Sequence, residues 1–387
     1  MHRLLLIIFC AAFLAACSTG AASTATSGQI SAIDTLANQV SAGFARATAP
    51  RAFVFPQDHG PHQEFATEWW YYTGNLDTAE GRHFGFQLTF FRFGLAPTAP
   101  ARASDWGTSN IYMAHFALSD VGGNQFFAFD RFSRSAAGLA GAQAEPFRVW
   151  LEDWSAEGQA SAALPMHLRA AQGAAAIDLT LDGGKPVVLQ GDRGLSQKSE
   201  EPGNASYYYS LTRMPTRGSI TVNGQRFEVT GQSWMDREWS TSSLGKNVAG
   251  WDWFALQLSD GRDLMYYQLR DRSGGATPSS SGTLIAADGS TSPIRRDDMT
   301  LDVLGTWKSP RSNGSYPARW RVQVPSANLD LTITPYLADQ ELPLTTVYWE
   351  GAVRIEGTAN GQPVSGNGYV ELTGYAEQQG QDNVRVR

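Results

Sequence analysis

The segment that decides the fold reads WYYTGNLDTAEGRHFGFQLTFFR and runs from Trp70 to Arg92. Aromatic residues open it, Asp77 and Gly81 mark a central turn, and Phe84, Phe86, Leu88 and Phe90 then alternate with polar or small residues. Glycine supplies the positive backbone angle of a tight turn, and period-two alternation is typical of a strand with one apolar face. The segment therefore predicts a β-hairpin.

A second segment repeats this order and reads WFALQLSDGRDLMYYQLR, from Trp253 to Arg270. Short strands and turn clusters fill the rest of the chain beyond Pro56. We therefore expect an all-β protein of two tandem antiparallel β-barrel domains, residues 50–222 and 223–387, with the seam near the turn at Asn223-Gly224. Barrels of lipocalin size can enclose one small ligand.

The N-terminus predicts export. His2-Arg3 precedes an apolar run from Leu4 to Ala16, which is too short to span a membrane and ends in the lipobox pattern Leu14-Ala15-Ala16-Cys17. Residues 1–17 are thus expected to be a lipoprotein signal peptide, with Cys17 lipidated as the mature N-terminus. The alternative is an ordinary secretory signal with an incidental cysteine.

Residues 18–49 are expected to form a tether and one short helix. Residues 18–28 are rich in Ala, Ser, Thr and Gly, and apolar residues then recur at helical spacing from Ile30 to Phe44. Ser18 after the lipidated cysteine favours the outer membrane, so the protein is expected to face the periplasm. Cys10 is expected to be removed with the signal peptide and Cys17 to be lipidated, so no disulfide is expected.

The composition excludes several classes of function. The net charge of −7 over 387 residues argues against a nucleic-acid partner. The sequence has no Walker loop, no dinucleotide-binding glycine pattern and no Cys/His zinc spacing, so we expect no cofactor. The absence of a Gly-x-Ser-x-Gly elbow leaves a hydrolase without support.

The candidate site centres on a charged strand between tryptophans, Gly231 to Ser240. Period-two geometry places Trp234, Asp236 and Glu238 on one face and the neighbouring Arg237 on the other. Two interpretations remain open. The paired acids hold a proton beside an aromatic surface and act as catalysts, or Arg237 bends round to form a structural Asp-Arg-Glu cluster.

Histidines offer two weaker signals. His59, His62 and Glu64 or Glu68 invite a metal site, but Gly60-Pro61 favours an irregular loop that caps a barrel mouth, so no metal is expected. His115 lies in an apolar strand and is expected to be a hydrogen-bonded core histidine, or a proton relay if it faces a cavity.

Long motifs spread over the chain resemble one family. They are Glu68-Trp69-Trp70-Tyr71-Tyr72-Thr73-Gly74, Met113-Ala114-His115-Phe116, Trp234-Met235-Asp236-Arg237-Glu238-Trp239, Trp251-Asp252-Trp253-Phe254 and Gly368-Tyr369-Val370-Glu371-Leu372-Thr373-Gly374-Tyr375. From about Arg51 onward the chain resembles the AttH-like, carotenoid 1,2-hydratase (hydroxyneurosporene synthase) superfamily. The resemblance implies two lipocalin-like β-domains.

The resemblance implies two functions. AttH-like proteins are exported and often linked with ABC-transporter components, which implies a barrel that binds a lipid or isoprenoid-like ligand. Carotenoid hydratases add water to a terminal double bond without a cofactor, and their key aspartate matches Asp236, although Met235, Arg237 and Glu238 replace two histidines and an asparagine. Aromatic and polar residues expected to bind the ligand are Trp70, Tyr72, His115, Trp239, Trp251, Trp253 and Tyr267.

Overall fold

The structure, a computed structural model, describes residues 42–98, 104, 106–159, 163–242, 244–245 and 247–376. The expected signal peptide, the lipidation site at Cys17 and the tether at 18–28 lie outside the described residues. So does the expected short helix, apart from its last residues, of which Phe44 is buried. No helix among the described residues is long and apolar enough to cross a membrane.

The described chain forms two antiparallel sheets, and its regular helical structure is limited to short 3-10 turns. The first sheet contains β1 (Thr67–Asp77), β2 (His83–Gly94), β3 (Asn110–Asp120), β4 (Gln125–Arg134), β5 (Ala140–Gln143), β6 (Arg148–Leu151), β7 (Trp154–Gly158), β8 (Met166–Gln172), β9 (Ala175–Leu181), β10 (Val188–Leu189), β11 (Leu195–Gln197), β12 (Ala205–Val222) and β13 (Gln225–Ser242).

The second sheet contains β14 (Val248–Leu258), β15 (Asp263–Asp271), β16 (Ser281–Ile285), β17 (Thr291–Arg295), β18 (Thr300–Lys308), β19 (Ser315–Val324), β20 (Leu329–Pro335), β21 (Glu341–Pro343), β22 (Val347–Ala359) and β23 (Gln362–Leu372). Each sheet curls into a nearly closed, barrel-like domain. The expected all-β architecture of two barrels is therefore confirmed.

The two hairpins predicted from sequence occupy equivalent places in the two sheets. β1 pairs with β2 through a turn at Gly81, and β14 pairs with β15 through a turn at Gly261, both glycines having positive φ. β1 then pairs with β13, and β14 with β23, in the two sheets. The internal likeness in the sequence thus corresponds to a repeated structural unit.

The passage between the sheets lies later than the sequence suggested. The turn at Asn223-Gly224 joins β12 to β13, and these long strands pair with each other inside the first sheet. The chain changes sheets between Ser242 and Val248. Turn residues mark a change of strand direction, and they do not tell whether the next strand joins the same sheet.

Side chains fill the interior of each barrel. In the first barrel the fully buried residues include Trp70, Tyr72 and the alternating apolar residues of β2. In the second they include Trp320, Trp349 and Leu331. These interiors provide the apolar burial that stabilises the fold in a chain for which no disulfide is expected.

The two barrels pack against each other through the outer faces of their strands. A Cβ added to Gly85 on β2 would lie 2.4 Å from Cβ of Ala352 on β22, so glycine permits this close approach. Asn75 donates a hydrogen bond to the backbone of Gly368 across the same interface (3.0 Å). The polar face of the first hairpin therefore faces the second barrel.

Candidate functional site

A cavity of about 130 Å³ lies between the two barrels, outside both interiors. Strands of the first sheet supply one wall and strands of the second sheet supply the other. Most of the lining is aromatic or aliphatic. The lining residues are Trp69, Tyr71, Thr89, Phe91, Phe93, Met113, His115, Lys198, Tyr208, Asp236, Glu238, Leu244, Trp251, Trp253, Tyr267, Leu269, Thr346, Tyr348, Glu371 and Thr373.

The charged strand β13 alternates as its sequence predicts. Asp236 and Glu238 line the cavity, and Trp234 packs among the aromatic residues between the barrels. Met235 faces the opposite way into the first barrel, as does Arg237, whose guanidinium lies 3.9 Å from the ring centroid of Trp70. The acids therefore share a wall with the indoles of the second barrel.

Asp236 is a buried carboxyl with three hydrogen-bond donors. The Tyr208 hydroxyl donates to Oδ2 (2.5 Å), and the Ser210 hydroxyl (2.5 Å) and the Trp234 indole N–H (2.7 Å) donate to Oδ1. Burial raises the pKa of Asp236 to about 7 although these donors oppose the shift, and the nearby charge of Glu238 adds to it. Near neutral pH this carboxyl is thus able to give or take a proton.

Arg237 does not neutralise Asp236. It pairs instead with Glu68 on the far side of the strand, and Arg92 pairs with the same carboxylate. Burial raises the pKa of Glu68, but the two guanidinium groups outweigh burial and hold that pKa well below its usual range. The structure therefore separates a structural cluster around Glu68 from the acid that faces the cavity.

Glu238 forms the charged end of the cavity. Its Oε1 lies 3.3 Å from Nζ of Lys198 and accepts a hydrogen bond from the Ser206 hydroxyl. The Lys198 ammonium also lies 3.9 Å from the ring centroid of Tyr267. Burial lowers the pKa of Lys198, but Glu238 and Tyr267 raise that pKa by more than burial lowers it. This lysine is therefore held in its charged form.

Two acids of the second barrel lie at the site: Glu371 lines the cavity, and Glu350 lies outside the lining and contacts it through Tyr71. Glu371 on β23 accepts a hydrogen bond from the Trp251 indole (2.6 Å), and burial raises the pKa of Glu371 to about 7, with a further rise from Asp236. Glu350 on β22 accepts from the Tyr71 hydroxyl (2.5 Å), and burial raises its pKa well above the usual range. Carboxyls from both barrels thus meet around one apolar space.

His115 completes this polar group. Its Nδ1 lies 2.7 Å from the hydroxyl of Tyr348 in the second barrel, and burial lowers the pKa of His115 to about 4. The imidazole is therefore neutral at physiological pH. His115 faces the cavity, which is the condition under which a proton-relay role was predicted for it.

Comparisons with known proteins identify the family. The AttH-like family model matches residues 46–375. A crystal structure of an AttH from Nitrosomonas europaea is 36% identical, with a TM-score of 0.76 over 86% of this chain and 100% of its own. The chain belongs to the AttH-like family. The predicted resemblance is thereby confirmed.

The AttH-like fold also matches kievitone hydratase from Nectria haematococca. That likeness has a TM-score of 0.65 at 16% identity and covers 86% of this chain and 96% of that one. At this identity the match shows a shared fold. A comparison with curated proteins finds no match.

In this AttH-like protein, four of the seven residues expected to bind a ligand line the cavity: Trp251, Trp253, Tyr267 and His115. Trp70 and Tyr72 instead lie inside the first barrel, and Trp239 stacks on His62 (3.7 Å between ring centroids) in a separate cluster at the barrel mouth. Alternation explains the difference, because neighbours along a strand face opposite sides. Trp70, Tyr72 and Trp239 therefore lie outside the lining of this cavity.

The cavity also lies in a different place from the ligand space that the sequence predicted. The sequence suggested the hollow interior of a barrel, whereas the described side chains fill both interiors and leave the space between the barrels. Glu350, Lys198 and Tyr208 were missed because nothing in their local sequence connects them to Asp236. Glu371 lies in the motif Gly368 to Tyr375, so that motif was the available signal.

The loop that contains His59 and His62 caps the first barrel. His62 bonds to Asp58 (3.0 Å), and His59 lies 2.5 Å from the Tyr209 hydroxyl. Over the ranges that the structure describes, no group of three or more His, Cys, Asp or Glu side chains is arranged to hold a metal ion.

The contribution of Asp236 to stability is expected to fall as pH rises from about 4 to about 7. The folded-state pKa of Asp236, about 7, exceeds its ordinary value of 3.8, so the folded state binds more protons in this interval. Relative to wild type, Asp236→Asn should therefore gain about 1.4 kcal/mol of unfolding free energy per pH unit across it. Urea unfolding of both proteins at a series of pH values measures the difference.

The matched control is Asp330→Asn. Asp330 is partly exposed, and hydrogen bonds from Arg321 lower its pKa, so this variant should show no such gain. If the stability curves of wild type and Asp236→Asn run parallel from pH 4 to 7, Asp236 does not titrate in the folded protein as described.

Proposed function

We propose that the cavity between the two barrels binds an apolar ligand of lipid or isoprenoid chemistry. The observation that carries this proposal is the lining, in which Trp69, Phe91, Met113, Trp251 and Trp253 surround a few converging polar groups. Ligand sites commonly have this composition and lie between domains. The charged pair of Lys198 and Glu238 would hold the polar end of an amphiphile, and the aromatic walls its chain.

Ligand uptake tests this proposal. Detergent-free protein is incubated with geranylgeraniol or with a phospholipid and examined by native mass spectrometry. We expect one-to-one complexes. Thr346→Trp, which places an indole in the cavity lining, should weaken binding at least about tenfold, or about 1.4 kcal/mol.

The control variant is Thr300→Trp, at an exposed position of β18 remote from the cavity lining. It should bind like wild type. Wild-type protein that takes up neither compound, or equal binding by both tryptophan variants, would exclude the cavity as the binding site.

We propose acid-catalysed hydration as a second candidate function, because the carboxyl of Asp236 borders the same cavity with a pKa of about 7. In this reaction the acid form gives its proton to one carbon of an isolated double bond, and the electron pair of that bond forms the new C–H bond. The other carbon becomes a cation, which the faces of Trp251 and Trp253 would stabilise.

Water then completes the addition. Its oxygen bonds to the cationic carbon, and a carboxylate takes the released proton. Glu371 supports this role because its pKa is also about 7 and it lies on the opposite barrel. Proton return to Asp236 through solvent restores the starting state, so the net reaction is alkene plus water to alcohol. The hydratase named among the structural neighbours shares this fold.

We further propose that the protein is anchored through lipidated Cys17 to a bacterial membrane, facing the periplasm, with the outer membrane favoured. The lipobox and Ser18 support this location. An ABC-type transport complex is the proposed partner, which rests on the family resemblance.

A further inference from the structure

Four apolar side chains are exposed together at one end of the first barrel. They are Leu95, Trp106, Ile111 and Phe132, with exposed fractions of 49%, 60%, 37% and 48%. We call Leu95, Trp106, Ile111 and Phe132 the apolar lip. The backbone N–H of Leu95 donates a hydrogen bond to the carbonyl of Ser109, next to the start of β3. Exposed apolar patches of this kind mark interaction surfaces.

The apolar lip continues the wall of the cavity. Ile111 lies directly opposite Phe93 in the register of β2 and β3, and Phe132 lies opposite Met113 in the register of β3 and β4. Opposed residues share a face of the sheet, and Phe93 and Met113 both line the cavity. An uninterrupted apolar surface therefore leads from the cavity to the outside.

The start of the described chain lies beside the same surface. A Cβ added to Gly43 would lie 3.0 Å from Cγ of Pro97, and one added to Gly94 would lie 2.8 Å from the ring of Phe44. In the sequence, Leu95 lies between the two contact residues Gly94 and Pro97. The residues that lead back to Cys17 thus join the fold next to the apolar lip.

We infer that the apolar lip docks onto the phospholipid bilayer that holds the anchor, so that the cavity opens toward the membrane. Tryptophan favours the boundary between headgroups and acyl chains, where Trp106 would lie. Arg134 is exposed next to it, its Nη1 3.4 Å from the Trp106 carbonyl, and can pair with anionic headgroups. The inference rests on the proposed ligand function, because it gives the apolar ligand a route between bilayer and cavity.

Site-specific quenching tests the orientation. Both native cysteines lie within the first 17 residues, so Phe132→Cys in the full anchored protein provides a single thiol for an NBD label in the barrels. The labelled protein is reconstituted into phosphatidylethanolamine–phosphatidylglycerol vesicles that contain spin-labelled lipid. Quenching at position 132 is expected to be severalfold stronger than at the control Val303→Cys, an equally exposed apolar position (51%) in the second barrel.

Trp106→Cys provides a second labelled position on the apolar lip, and it should be quenched like position 132. Equal quenching at positions 132 and 303, or none at 132 and 106, would overturn the inference. A label at 132 that is shielded from water but unaffected by spin-labelled lipid would indicate a second protein copy there and would also overturn it. The readout requires no ligand, so its result is independent of whether the cavity binds one.

Discussion

Replacing Glu68 by glutamine is expected to lower the free energy of unfolding by about 3 to 5 kcal/mol. Glu68 is fully buried between Arg92 and Arg237, which are also fully buried, and it accepts hydrogen bonds from both. Glutamine keeps the size of the side chain but leaves two guanidinium charges in the interior without an anion. Urea unfolding at pH 7 measures the loss.

The matched control for Glu68→Gln is Glu228→Gln. Glu228 pairs with Arg226 at the exposed end of β13, the strand that also carries Arg237. Exposed pairs contribute little, so this variant should change stability by less than about 1 kcal/mol. If both variants lose the same small amount of stability, the buried cluster around Glu68 does not stabilise the fold as described.

The hairpins and the two faces of β13 could be predicted because they depend on local rules. Gly81 and Gly261 supply positive φ in the two turns, and alternation separates Asp236 from Arg237. Neither inference needs knowledge of distant residues. The sequence therefore supports the repeated β-unit and the separation of the catalytic candidate from its neighbour.

The position of the cavity could not be predicted, because it depends on how the barrels dock. Trp69 and Trp70 are adjacent and equally aromatic. Trp70 faces the filled core of the first barrel, and Trp69 lines a cavity because the second barrel docks on its side of the strand. Glu350 and Tyr71 are 279 residues apart in the chain yet hydrogen-bonded. Long-range pairs of this kind leave no local pattern, so Glu350 could be found only from the structure.

Asp236→Asn is expected to lower any hydration of acyclic isoprenoids by about 100- to 10,000-fold, the usual contribution of a general acid. Asparagine keeps the shape of the side chain but has no acidic proton to donate. Native mass spectrometry should still show ligand bound to the variant, which separates loss of chemistry from loss of binding. Product formed from a terminal alkene is measured in both proteins.

The pH dependence of this activity provides a sharper test than the loss alone. A general acid must be protonated and the base Glu371 must be ionised, so the wild-type rate should pass through a maximum near pH 7 and then fall as Asp236 loses its proton. Tyr208→Phe removes a hydroxyl whose hydrogen bond favours the carboxylate, so the pKa should rise and the decline should move to higher pH. Asp330→Asn, on the surface of the second barrel, should leave the profile unchanged. Equal product from wild type and Asp236→Asn would remove this carboxyl from the reaction.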